Sequence, residues 1–224
     1  VLPMPKDAAT DVTSIIGCAV MTGAGAIINT LQVRAGQSVA VFGAGGIGLC
    51  AISAAAIVDA YPVIAVDIVP GKLAFARRFA ATHTVNSKDG DAIPAIKDLT
   101  SGGVDFAIDA IGLPQTQEQI LRAVRPGYSG MNKGGTALLV GITPPETKGI
   151  LDTSLFAGNR SFTRTSGGDC KPNRDFPIFL RWYREGKLKL DELVTNRYRL
   201  EQINTAVDDL EHGRILGRGI LTFN

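Results

Sequence analysis

The chain has 224 residues, of which 45% are hydrophobic and 20% charged, with a formal net charge of +2. That length suits one large domain, or a domain with an appendage, and is enough to bury a sizeable core. The near-balanced charge and the lack of a basic, aromatic-laced tract argue against a nucleic-acid partner. Three widely separated cysteines, Cys18, Cys50 and Cys170, form no CxxC pair and no even-numbered framework, so a reducing cytoplasm is expected. The opening VLPMPKDAATD has no signal-peptide apolar region. It also has no initiator Met, which leads to the expectation of a fragment or a processed chain.

In chain order, the first two apolar windows, 12–33 and 35–58, carry no charged residue and are long enough to span a bilayer. Glycine pairs interrupt them, and strands covered on both faces also read as continuous apolar runs, so no membrane span is expected. A short β-rich run at 38–44 leads into an alanine-rich, helix-length segment at 47–60. PVIAVDI, 62–68, reads as a second buried strand. Residues 71–81 place Leu73, Phe75, Ala76, Phe79 and Ala80 at helical spacing. A third strand is expected at 83–87, a helix at 92–100, a fourth strand at 105–112 (DFAIDAIG) and a helix at 116–124 stopped by Pro126-Gly127. TALLVGI supplies a fifth strand at 136–142, and 160–166 a sixth, polar enough for an exposed edge. Strand and helix alternating in this way imply a parallel sheet with helices on both faces, and right-handed crossovers make it doubly wound. After about residue 166 the rhythm changes. GGDCKPNRD reads as a loop, 176–187 as a helix, 193–200 as a strand, 201–212 as a helix closed by Gly213, and 219–223 as a last strand. This α/β tail is read as an element apart from the sheet.

The segment SVAVFGAGGIGLCAI carries the chemistry. Gly43, Gly45 and Gly48 fit G-x-G-x-x-G, with Gly46 and Ile47 between them. A strand precedes, a helix follows, and Asp67 ends the next strand nineteen residues past Gly48, with Ile68 after it. Together these are the arrangement of a dinucleotide site. Gly43 permits the tight turn, Gly45 lets a pyrophosphate approach the backbone, and Gly48 lets helix lie close to strand. The helix start near Gly46 offers unpaired N–H groups to the phosphates. Asp67 can accept hydrogen bonds from a ribose 2′-hydroxyl and would repel a 2′-phosphate, favouring NAD over NADP. Ala110, Ile111 and Gly112 close the fourth strand and Val140, Gly141 and Ile142 the fifth, where ligands of such sheets sit. For Gly112 and Gly141, crevice lining and simple strand termination both stand.

With IIGCAVMTGAGA, VAVFGAGGIG, VIAVDIVPGKLAFAR, DFAIDAIG and GRGILTF in order along the chain, the sequence resembles the medium-chain dehydrogenase/reductase superfamily, and most of all the zinc-dependent alcohol dehydrogenases. The resemblance implies a Rossmann coenzyme domain at 22–165. It makes 1–21 the remnant of a catalytic domain with a linker helix, and 166–224 a segment that returns to that domain. The N-terminal domain of such enzymes, with its Gly-His-Glu motif and structural-zinc cysteines, has no counterpart here. By the same resemblance Cys18 is a ligand of the catalytic zinc, Thr22 packs near the nicotinamide, Lys72 contacts the adenosine ribose and Arg218 reaches the pyrophosphate. Read from the residues alone, Cys18 is a core cysteine of an apolar helix, Thr22 an ordinary helix threonine, Lys72 a solvated lysine and Arg218 a surface charge. One cysteine cannot hold zinc, so zinc is expected only with the missing domain present.

Tyr183 and Lys187 fit Tyr-x-x-x-Lys, a general acid/base pair of short-chain dehydrogenases. The glycine motif of that family opens the chain, whereas here it lies past residue 40, so catalysis by this pair is not expected. His83 and His212 sit at element ends, and no GxSxG elbow or P-loop occurs. The expectation is NAD-dependent oxidation of a small-molecule primary alcohol to an aldehyde, in a complete zinc-type enzyme of which this is the coenzyme-binding part. An isolated NAD-binding module, or a zinc-free reductase of the superfamily, is the alternative. GGDCKP and YREGKLKLDELVT resemble aryl-alcohol dehydrogenases, which points to an aromatic alcohol. The edge strand 160–166 is expected to pair with its twin in a dimer.

Overall fold

A computed structural model describes residues 3–223 except Ser129, Met131 and Ile150. Six parallel strands form one sheet: β1 (Val39–Phe42), β2 (Val63–Asp67), β3 (His83–Asn86), β4 (Phe106–Asp109), β5 (Thr136–Leu139) and β6 (Ser161–Arg164). Their order is β3-β2-β1-β4-β5-β6, the doubly wound dinucleotide-binding order. The registers keep strand ends level: Phe42 pairs with Val66 and with Asp109, and Asp109 with Leu139. The carboxyl ends of β1, β2, β4 and β5 therefore share one rim.

The two faces of the sheet follow from strand alternation. Val39, Val41, Val63, Ala65, Ile108 and Leu138 face one core, with helices Gly46–Ile57 and Pro70–Arg78. Ala40, Phe42, Ile64, Val66, Ala107 and Ala137 face the other, under helices Ala92–Thr100 and Pro114–Ala123. Every residue of β1 and β2 is buried, which explains why both read as unbroken apolar runs. Helix Gly46–Ile57 is buried from Gly48 to Ala55 with no polar stripe, as a helix clamped between layers must be.

The apolar window 12–33 forms a helix, Thr10–Thr30, that is long and apolar enough to cross a membrane. In this fold it is a core helix, with Val12, Ile16, Val20, Ala24 and Ile27 fully buried. It contains π-helical turns at Ile16–Val20 and Ala26–Thr30. Its glycines permit close crossings. A Cβ on Gly23 would lie 2.7 Å from Cys50 Cβ and 2.9 Å from the Ala51 nitrogen, and one on Gly25 would lie 2.6 Å from Cys170 Sγ.

Several expected boundaries move, each for a local reason. Strand β4 stops at Asp109 rather than Gly112, because the Asp109 carboxylate accepts the Ile111 and Gly112 N–H groups and Gly112 takes φ +95°. Strand β5 stops at Leu139, and β6 is confined to Ser161–Arg164, where it forms an exposed edge. GGDCKPNRD is not all loop. Gly167–Asp169 is a 3-10 turn, and Pro172 begins the helix Pro172–Arg184, earlier than the expected 176. Proline fits the first helical position because its missing N–H would be unpaired there in any case. That helix buries Phe176, Phe179, Leu180 and Trp182 in the same core as Thr10–Thr30. Beyond it, β7 (Val194–Arg199) and β8 (Arg218–Thr222) pair as a separate two-stranded parallel sheet, with helix Ile203–Glu211 between them in sequence.

Candidate coenzyme site

The glycine turn leaves β1 at the centre of the sheet rim. Gly43 adopts φ +97°, open to glycine at little cost, and its N–H donates to the Val66 carbonyl (2.8 Å). A Cβ on Gly48 would collide with the Gly43 carbonyl oxygen and lie 3.0 Å from the Gly43 carbonyl carbon. Gly48 is thus required by the fold itself. Gly45 is different: a Cβ there would meet nothing within 4 Å. No protein atom demands that Gly45 be bare, and its open face is where a ligand can approach the backbone. Gly45 caps helix Gly46–Ile57 without a side-chain hydrogen bond, so the first-turn N–H groups are left for solvent or an anion.

Asp67 ends β2 and is buried. Its Oδ2 accepts the Ala44 N–H (2.8 Å) and its Oδ1 the Val69 N–H (3.0 Å). The residue read as a ribose acceptor also fastens the glycine turn to the second strand, and each oxygen keeps a lone pair for a further donor.

Arg218, at the start of β8, folds its side chain over Gly46: a Cβ on Gly46 would lie 2.7 Å from Arg218 Cδ. The Arg218 Nε is the one buried side-chain nitrogen or oxygen without a hydrogen-bond partner among the described residues. A buried donor left unpaired costs about 1–3 kcal/mol, so a guanidinium held this way over an uncapped helix start suits an anionic ligand. A cleft of about 410 Å³ opens there, lined by the 45–48 turn, Lys72, Ala110 and Arg218, and by Tyr198, Ile203 and Val207 of the tail.

The structure thus brings Gly45, Gly46, Ile47, Gly48, Lys72, Ala110 and Arg218 to one cleft, and ties Asp67 to it through Ala44. Ile111 lies against the glycine turn, where a Cβ on Gly43 would be 2.7 Å from Ile111 Cγ1. Ile68 and Ile142 are exposed on the rim. Gly112 and Gly141 press together, with a Cβ on Gly112 falling 2.7 Å from the Ile142 carbonyl oxygen and 3.0 Å from the Gly141 carbonyl carbon. Their bareness has a packing cause whatever else they line. The Val140 N–H bonds to the Asp109 carbonyl (2.9 Å). Thr22 is half-buried beside Gly23, at the crossing with helix Gly46–Ile57.

Cys18 is exposed. Among the described residues no three His, Cys, Asp or Glu side chains cluster to hold a metal ion. Zinc needs three or four protein donors, so these residues do not by themselves fit the metal. Cys50 is buried and Cys170 part-buried. Burial pushes each thiol up to about 12, helped at Cys170 by the neighbouring Asp175 carboxylate and opposed at Cys50 by Arg218. The Tyr183 hydroxyl donates to Asp191 (2.8 Å), a bond that pushes its pKa up, while Lys187 pairs with Glu185 (2.8 Å). His83 Nδ1 lies 2.9 Å from Thr82 Oγ1, and His212 Nδ1 lies 3.0 Å from Asp208.

Two features escaped the sequence reading. Asp109 is wholly buried at the end of β4, and burial raises its carboxyl pKa against the opposing pull of the Gly112 and Ile111 N–H groups. The signal was present, an acid ending an apolar strand just as Asp67 does. The second is the apolar tail wall of the cleft. The helix was legible, but its place beside the glycine turn was not.

Comparison with known proteins agrees with this fold. The family model for zinc-binding dehydrogenases matches residues 46–185. A geraniol dehydrogenase of Castellaniella defragrans is 36% identical over 211 residues, covering 93% of this chain and 54% of that protein. A class-3 alcohol dehydrogenase of Cereibacter sphaeroides is 32% identical, covering 97% of this chain and 58% of that one. The crystal structure of benzyl alcohol dehydrogenase from Acinetobacter calcoaceticus superposes with a TM-score of 0.91 at 33% identity, over all of this chain and 59% of its own. The chain therefore spans little more than half the length of the relatives it matches. A family model over more than half of the chain, with shared sequence over most of it and a shared fold, places it: this chain belongs to the zinc-binding dehydrogenase family.

Proposed function

We propose that the chain forms the coenzyme-binding part of an NAD-dependent alcohol dehydrogenase, which oxidises a primary alcohol to an aldehyde. The observation that carries this is the unpaired, buried Arg218 Nε set over the bare start of helix Gly46–Ile57. The coenzyme, when bound, accepts a hydride at the nicotinamide. This chain's own work is to hold it. The 45–48 N–H groups and Arg218 receive the diphosphate, Asp67 and Lys72 the adenosine ribose, and Ala110, Ile111, Val140 and Ile142 flank it along the rim, with Thr22 at the nicotinamide end. Asp67 disfavours a 2′-phosphate by charge, which selects NAD.

In this reading 1–21 and 166–224 belong with a catalytic domain around the 22–165 coenzyme domain. Cys18 is one of several zinc donors, the others lying outside this chain. The alcohols named for two relatives, geraniol and benzyl alcohol, support a primary and aromatic or allylic substrate. The exposed edge β6 supports a dimer through twin strands, and the protein is read as cytoplasmic, with no membrane or nucleic-acid partner.

Calorimetry with NADH and NADPH on the wild type and on Asp67→Asn tests the reading. NADH should bind and NADPH bind at least about tenfold more weakly, a gap that Asp67→Asn narrows. Equal affinity for the two coenzymes, or a preference unchanged by Asp67→Asn, refutes it. Alcohol-dependent NADH formation with metal analysis separates a complete enzyme from a binding module.

A further inference from the structure

We propose that Asp109 is a positioning residue of the coenzyme crevice, setting the glycine turn from the neighbouring strand by way of Ile111. The proposal deepens the dinucleotide reading and rests on it. Asp109 sits at the carboxyl end of β4, beside the end of β1, and is fully buried. Its Oδ1 accepts the N–H groups of Ile111 (2.8 Å) and Gly112 (3.0 Å). Its own carbonyl accepts those of Val140 (2.9 Å) and Gly141 (2.8 Å), and the Ala110 N–H donates to the Phe42 carbonyl (2.8 Å). One residue therefore closes the 110–112 turn, joins it to the end of β5 and abuts the last residue of β1.

The turn so formed is not remote from the ligand. Ala110 lines the cleft, and the Ile111 side chain bears on Gly43, the φ +97° residue from which the glycine turn springs. Oδ1 receives both converging N–H groups, and Oδ2, 3.2 Å from the Gly112 nitrogen, is a second acceptor for the same donor. The amide of Asn, with its oxygen kept at the Oδ1 position, would set its NH2 group against the Gly112 N–H at the Oδ2 position. The Gly112 N–H is buried against Asp109 and has little water to turn to, so the turn must shift when a donor faces it. Ile111 then loses its seat against Gly43. A buried acid used only to fill the core would have no such path to the coenzyme.

The test uses the whole 224-residue chain with Asp109→Asn, Ile111→Ala and the double variant. Backbone amide NMR is read without coenzyme, and NADH is titrated by fluorescence. Asp109→Asn should shift the Ile111, Gly112 and Gly43 amides and weaken NADH about tenfold, the size expected for an unpaired buried donor. Ile111→Ala, at a partly exposed position, should shift Gly43 and weaken NADH by a similar factor. If Asp109 acts through Ile111, the double variant binds NADH no more weakly than the poorer single, a non-additivity that general destabilisation does not produce. A folded Asp109→Asn with the Gly43 amide unmoved, or two singles that multiply fully, overturns the proposal. Should Asp109→Asn not fold, Ile111→Ala decides alone: an unmoved Gly43 amide overturns it. If the wild type binds no NADH, the dinucleotide reading fails, and the Gly43 shifts still decide whether the path through Ile111 exists.

Discussion

Replacing Arg218 with Met separates a ligand-binding arginine from a structural one, because the two roles predict opposite signs. Met keeps an apolar stem to lie over Gly46 and deletes the buried Nε that has no partner. An unpaired buried donor costs about 1–3 kcal/mol, so the coenzyme-free protein should lose no stability and gain up to about 1 kcal/mol after the packing change is set against it. With coenzyme the sign reverses. A charge-assisted hydrogen bond to phosphate contributes about 1.5–3 kcal/mol, so NADH should bind about 10- to 150-fold more weakly. Urea unfolding without ligand, paired with calorimetric NADH titration, reads both. The wild-type affinity should also fall more steeply with added salt than that of Arg218→Met, since one charge contact is absent in the variant. A variant that is destabilised by 1 kcal/mol or more without ligand, yet binds NADH as the wild type does, refutes the reasoning.

Gly48→Ala should cost about 1–3 kcal/mol or more and abolish measurable NADH binding, since its Cβ would push the helix start off the Gly43 carbonyl; unchanged stability by urea unfolding would contradict the close helix–strand contact. A thiol reagent at pH 8 should modify Cys18 quickly and leave Cys50 and Cys170 untouched until unfolding, because both pKa values are pushed up to about 12; peptide mapping that finds Cys50 labelled first would count against it. Asp105 supplies a pH dependence. Burial alone would raise its carboxyl, but the Ser38 N–H and hydroxyl and the Arg125 guanidinium outweigh it and hold the pKa below the usual range. A depressed folded-state pKa means stability present above the unfolded value of about 3.9 and lost as pH falls through the folded value. Unfolding curves between pH 5 and pH 2 should therefore lose stability more steeply in the wild type than in Asp105→Asn, and parallel curves would show that the Ser38–Arg125 cluster contributes nothing.

Much of the candidate site's local geometry was legible because short-range physics writes it into neighbouring residues. A positive-φ turn and a close helix each demand glycine, at 43 and 48, and the buried runs VAVF and VIAVD announce strands covered on both faces. Fold class, the strand–turn–helix unit and the acid ending β2 follow from residues within a few turns of one another. Gly45 was readable as open only through its motif, whereas the structure shows that nothing packs there. Asp109 is a strand-ending acid, and that becomes informative only when its burial is known. Cys18 looks like any core cysteine in an apolar helix, and only the packing of that helix leaves it exposed.

What the sequence by itself determined is the alternation of strands and helices and the chemistry of one turn, since periodicity and glycine geometry are properties of a single stretch of chain. The tertiary structure alone decided the order β3-β2-β1-β4-β5-β6, the lodging of helix Thr10–Thr30 in the core, and the return of the tail to lay Arg218 over Gly46. Those depend on which apolar faces find one another across the molecule, and on where a long connection can bring a charge, neither of which leaves a local pattern in the chain.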